Sequence, residues 1–142
     1  MHADHKLAVA VRTDLAVWQK VNVTAFVVSG LGATDPDLVG EPYVDADGQR
    51  YLPMFVQPVL VCGGDGPALT RAFTRARARD LAVAVHTDDL FATGNDVDNR
   101  AAVAKVATLD LALAGFAVGG PRREVQRSRS NSRRNAKKST AP

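Results

Sequence analysis

The chain has 142 residues, 46% of them hydrophobic, which is the size and composition of one globular domain. Its single cysteine, Cys62, excludes an internal disulfide and a multi-cysteine zinc site, so burial has to hold the fold together. The formal charge of +3 conceals two segments of opposite sign: residues 1–121 hold 10 Lys and Arg against 14 Asp and Glu, and residues 122–142 hold 8 against 1.

The apolar run KLAVAVR, residues 6–12, is of strand length. Leu15 to Leu31 then places Val17, Val21, Ala25 and Val28 at near-helical spacing, with Gly30 and Gly32 expected to stop the helix. Pro36, Gly40 and Pro42 forbid a long element, and Asp47-Gly48 between two short extended pieces predicts a hairpin. VQPVLVCGG is a second apolar strand. A helix is expected from Pro67 to about Arg79, burying Leu69 and Phe73 with Ala72 and Ala76 and turning Arg71, Arg75 and Arg79 outward. DLAVAVH is a strand, DDLFATG a short helical piece, residues 96–107 a helix, and residues 111–120 a last strand.

Interior strands that are apolar at nearly every position suit a sheet covered by helices on both faces. The fold class is therefore α/β, with a mixed, mainly parallel sheet and a small hairpin insertion. The helices at 15–31 and 67–79 are long enough to serve as right-handed crossovers. There is no internal repeat, and no run approaches the roughly 20 apolar residues that span a bilayer. The N-terminus enters a strand pattern directly rather than a basic-then-apolar signal, so a cytoplasmic protein without membrane contact is expected. The tail RREVQRSRSNSRRNAKKSTAP is rich in Arg, Lys, Ser and Asn and holds Val125 as its one aliphatic side chain of any size. That composition predicts a folded domain over residues 1–125 and a disordered basic tail from about residue 126, able to contact RNA through its charge.

The motifs VRTDL, WQKVNVTAF, VGEPYVDADGQRYLPM, QPVLV, VHTDDLFATGND and GPRREV, in this order over about residues 6–125, resemble the family of domains of unknown function numbered two thousand. More remotely, strand-Arg-Thr-Asp-Leu-helix, a strand leading into an Asp-containing loop and a final apolar strand ending in Gly-Pro are similar to peptidyl-tRNA hydrolase type II. That resemblance implies a four-stranded core sheet with helices on both faces and a site at the strand ends beside the first helix. It aligns Lys20, after a one-residue gap, with the hydrolase's helix-start lysine, and Asp88 or Asp89 with Thr93 with its loop. The departures are substantial. Val17-Trp18-Gln19-Lys20 replaces a glycine-lysine-glycine-lysine approach, Thr24 and Val27 replace a glutamine and a histidine, and Asp88 is followed by Asp89 and Leu90 rather than by alanine-glycine. A fold can be inherited without its chemistry.

Read on their own chemistry, Lys20 and Thr24 share one helix face and could grip an anion with the help of the helix dipole. Gln19 and Asn22 flank them as substrate contacts where open α/β sheets bind ligands. His86 ends a strand, and Asp88 and Asp89 follow within a turn, so the three could manage a proton if their loop faces Lys20. The plainer duty of Thr87 or Asp88 is to cap the short helix. Trp18 is more often part of a core or an interface than a base-stacking platform. The DADG run is a turn and not a calcium loop, because its glycine is fourth rather than sixth and Val56 stands where a bidentate glutamate is required. CGGDGP lacks the Lys-Ser/Thr of a P-loop. No cofactor or metal is called for. Two functions remain: a hydrolase of an ester or amide on a bulky carrier, tRNA included, with Lys20 positioning the anion and Asp88, Asp89 and His86 handling water and proton; or a non-catalytic small-molecule-binding or homodimeric module using Trp18 and Phe26. The acidic charge of residues 1–121 weighs against tRNA.

Overall fold

The computed structural model describes residues 4–129. Its first strand, β1 (His5–Arg12), explains the layering, because alternate side chains enter different cores. Leu7, Val9 and Val11 pack with Val23, Val27 and Leu31 of helix α1 (Val17–Thr34), whereas Ala8 joins Leu69, Phe73, Phe116 and Val118 on the opposite face. Helix α2 (Gly66–Ala78) covers that second face. Each fully buried Val or Leu adds roughly 1.5–3 kcal/mol over leaving it in water, so the two clusters hold the sheet from both sides.

The core sheet has four strands in the order β4-β1-β6-β5, with β4 at Val59–Gly64, β5 at Ala82–Thr87 and β6 at Leu113–Pro121. Strand β1 runs parallel to β4, but β6 is antiparallel to both β1 and β5. The sheet is thus mixed, as expected, but not mainly parallel, since only one of its three ladders is. Continuous apolar strands report cover on both faces and carry no information on direction; β6 is buried on both sides and still antiparallel.

The glycines expected to end α1 lie inside it. A Cβ on Gly30 would stand 3.1 Å from Ala84 Cβ, and one on Gly32 would stand 3.3 Å from the Phe55 ring, so both permit close approach rather than termination. A separate two-stranded hairpin, β2 (Tyr43–Val44) and β3 (Arg50–Tyr51), projects from the body. The Asp45 carboxylate accepts from the backbone of Asp47 and Gln49, and Gly48 takes a φ of +80°, which favours glycine. Helix α3 (Asp96–Ala104) follows a 3₁₀ turn at Asp88–Ala92.

Residues 122–129 form a further helix, α4, with Val125 fully buried and Ser128 buried. The sequence assigns a disordered basic tail from about residue 126. Its first four residues complete α4, because Val125 anchors the helix on the α2 face and Arg75 Nε donates to Ser128 O at 2.8 Å. Residues 130–142 lie outside the described residues. The same bond corrects the expectation for α2: Arg75 reaches α4 instead of pointing into solvent. No helix among the described residues is long and apolar enough to cross a membrane.

Candidate functional site

Because β6 alone is reversed, the C-terminal ends of β1, β4 and β5 point to one end of the sheet, where α1 and α2 also begin. Ligands of open α/β sheets bind outside such carboxyl ends. Arg12, the last residue of β1, organises this end. Its Nε donates to Asp14 Oδ1 at 2.6 Å, and its Nη1 donates both to Asp88 Oδ2 at 2.9 Å and to Leu113 O at 3.1 Å. The Arg12 side chain is 16% exposed, and its pairing with Asp88 first and Asp14 second raises its pKa above the usual guanidinium value. In the sequence Arg12 stands only within the Arg-Thr-Asp-Leu motif, with no role given to it; its signal was a charge that ends the apolar run LAVAV, residues 7–11.

His86, Thr87 and Asp88 form a polar step beside it. His86 Nδ1, Thr87 Oγ1 and Asp88 Oδ1 are the buried side-chain polar atoms without a hydrogen-bond partner among the described residues. Buried polar atoms are paired in the large majority of cases, so three in consecutive residues make this step a candidate for binding water or ligand. Thr87 stands at the N-cap of the 3₁₀ turn without a side-chain capping bond. The His86 ring lies 4.8 Å from the Phe91 centroid and 6.1 Å from that of Phe26. Burial between these rings lowers its pKa, against the opposing effects of the Thr87 backbone and the Asp88 charge. The imidazole is therefore neutral near pH 7.

Lys20 and Thr24 sit elsewhere. They line a groove of about 550 Å³ between α1 and β4, together with Val11, Val21, Val61 and Cys62. Strands β4 and β5 are opposite edges of the sheet, three inter-strand spacings or roughly 14 Å apart. Val11, Val23 and Ala114 belong to the core cluster shared by α1 and the sheet. The structure brings Lys20 to Thr24, and Asp88 to Arg12 with His86 two residues before it, but leaves the two sets on different flanks of α1.

The other expected contacts make local bonds or stand exposed. Gln19 Oε1 accepts from Ala16 N at 2.9 Å, half of a capping box that starts α1. Thr24 Oγ1 donates to Lys20 O at 2.8 Å. Thr93 Oγ1 donates to Leu90 O at 3.0 Å and pairs with the Asn99 side chain, tying the 3₁₀ turn to α3. Asn22 and Asp89 are exposed. Trp18 is 65% exposed, its ring edge-on to Phe91 at 6.3 Å. No cluster of three or more potential metal ligands occurs among the described residues.

Comparison with known proteins places this architecture. The model of the family described as "Protein of unknown function (DUF2000)" matches residues 5–132. The chain belongs to the DUF2000 family. No curated protein matches it. Among solved structures, this DUF2000 chain is similar to that of a protein of unknown function, Atu0240, from Agrobacterium tumefaciens strain C58. The two share 38% identity and a TM-score of 0.86 over 89% of this chain and 94% of the other. At that level of identity and coverage the sheet order and the groove beside β4 are features to look for in both proteins.

Proposed function

We propose that this DUF2000 chain is a small-molecule-binding module whose ligand lies in the groove between α1 and β4. The observation that carries this reading is the composition of the groove: apolar walls from Val11, Val21, Ala25 and Val61, hydroxyls from Thr13 and Thr24, and Lys20 as its one charge. Concave, mostly apolar sites with a few polar groups are the usual form of ligand pockets, and about 550 Å³ falls within their common size. Such a lining selects an amphipathic molecule with an apolar body and an anionic end set against Lys20. Isothermal titration with octanoate, and with octanol as its uncharged counterpart, tests the idea. Lys20→Ala should weaken octanoate by about tenfold, the loss of one charge-assisted hydrogen bond, and leave octanol unchanged. Equal loss for both ligands, or none, removes Lys20 from the site.

Hydrolysis of an ester or amide on a bulky carrier is the second reading, and the unpartnered atoms of His86, Thr87 and Asp88 favour it. A neutral imidazole beside a carboxylate suits proton transfer. In this version the cation next to Asp88 is Arg12, which takes the role first assigned to Lys20. The peptidyl-tRNA hydrolase-like fold and RNA contact through the basic C-terminal segment belong to this reading. Peptidyl-tRNA and nitrophenyl esters are the substrates to assay. Loss of turnover in His86→Gln and Asp88→Asn at unchanged melting temperature supports it, and absence of turnover in the parent protein ends it. Removing residues 130–142 should lower RNA affinity and its salt slope if that segment is the RNA arm. Self-association through Trp18 and Phe26 would show in sedimentation as a dimer lost in Trp18→Ser.

A further inference from the structure

The segment Tyr51-Leu52-Pro53-Met54-Phe55-Val56 is apolar at every position, the pattern of a strand covered on both faces. It belongs to a ribbon longer than β2 and β3 alone. Val39 bridges Phe55, Tyr43 pairs with Tyr51 and Val44 with Arg50, while Val56 N donates to Leu38 O at 2.9 Å and Gly40 N to Met54 O at 3.0 Å. All these pairs keep one register, so residues 38–44 and 50–56 make a single antiparallel arm closed by the Asp47-Gly48 turn.

Paired residues share a face, and successive residues of a strand take opposite faces. Pro53 and Phe55 turn toward the body, where Phe55 packs on the α1 core and against Gly32. The other face carries Pro42, Val44, Leu52, Met54 and Val56, with Arg50 as its one charge. Val44, Leu52, Met54 and Val56 are 57%, 84%, 58% and 63% exposed. A two-stranded ribbon is marginally stable by itself, and this one has cover on only one side among the described residues.

What covers the stripe must itself be apolar. Residues 130–142 offer only Ala136, Ala141 and Pro142. Glu41, Asp45 and Asp47 on the same arm set it against an anionic lipid surface. The stripe of a second copy meets the requirement. Turned about a two-fold axis it lays apolar on apolar, and with the ribbons antiparallel the two Arg50 side chains fall at opposite ends, roughly 20 Å apart. At roughly 60–120 Å² for each large apolar side chain, the stripe offers about 500 Å² per copy. Two copies then bury about 1,000 Å², the size at which an interface between proteins becomes specific.

We propose that two copies of this chain pair through their arms, the stripe of one packed on the stripe of the other. The stripe shares no residue with the lining of the α1/β4 groove and does not include Trp18 or Phe26, so this pairing fails or holds independently of the readings above. Sedimentation velocity of the full-length protein from about 1 to about 200 µM should show a monomer passing to a dimer. Leu52→Glu with Met54→Glu should weaken that association by at least about tenfold at unchanged melting temperature, since both positions are exposed in the monomer. Trp18→Ser should leave it unaltered. In the parent protein, mixing copies labelled with ¹³C at the methionine methyls with unlabelled copies should give intermolecular NOEs from the Met54 methyl to Leu52 or Val44 of the other copy. A monomer throughout the concentration range overturns the proposal, as does a dimer that survives the glutamate pair, one lost in Trp18→Ser, or one without those NOEs.

Discussion

Gly115 sets the height of α1 above the sheet, and replacing it tests the packing on which both flanks of α1 depend. The residue sits in β6 between Val11 of β1 and His86 of β5. A Cβ placed there would lie 2.6 Å from Val23 Cγ1 and 2.8 Å from Ala10 O. Neither neighbour can turn aside: Val23 is fully buried, and the oxygen belongs to the backbone of a paired strand. Overpacking of this kind costs roughly 2–3 kcal/mol, offset by about 0.5–1 kcal/mol from the stiffer unfolded chain. A net loss of about 2 kcal/mol is expected for Gly115→Ala, or roughly 5–8 °C in melting temperature for a chain of this size. Val23→Ala alone should cost about 2 kcal/mol by removing two buried methyl groups. In the double variant the contact with Val23 Cγ1 disappears while the one with Ala10 O persists. Its cost should therefore fall short of the sum by about 1 kcal/mol, a coupling that urea denaturation at constant m resolves. Gly119→Ala is the internal control, because its Cβ meets only the ends of Leu7 and Leu31 at 3.3–3.6 Å, and should stay within about 0.5 kcal/mol of the parent. Strict additivity, or a Gly115→Ala protein as stable as Gly119→Ala, would mean that α1 does not lie on β6 as described.

Three further outcomes are expected from the side-chain contacts. Since burial lowers the His86 pKa, the unfolded chain binds the proton better; His86 stabilises the fold fully above the unfolded value near 6.5 and loses that contribution as pH falls from there toward the folded value. His86→Leu should flatten the melting temperature over that acidic window, and an unchanged slope would show that the ring is not desolvated. Arg12→Lys keeps the charge but cannot serve Asp14, Asp88 and Leu113 O together, so a loss of about 1–2 kcal/mol is expected by urea denaturation, with Asp88→Asn less than additive in the same background. Asp65 caps α2 by accepting from Ala68 N at 2.8 Å, and Asp65→Ala should cost about 1 kcal/mol; no loss would mean that water replaces the cap.

The sequence by itself determined the local elements. Apolar runs of strand length gave β1, β4, β5 and β6, the Leu69–Phe73 stripe gave the buried side of α2, and Asp47-Gly48 gave the hairpin, because periodicity and turn chemistry act within a few residues. Motif order was also enough to place the chain in DUF2000. What only the tertiary structure decided was everything that depends on neighbours distant in sequence: the reversed direction of β6, the passage of α1 through Gly30 and Gly32, the burial of Ser128 and the capture of Arg75 by α4. The candidate site divides along the same line. Lys20 and His86 both stand where a sheet edge meets α1, yet strand order puts one beside β4 and the other on β5. Arg12 acquires its importance from a carboxylate 76 positions further along the chain. Periodicity tells a side chain which face it takes; only the pairing of strands tells it which other side chains share that face.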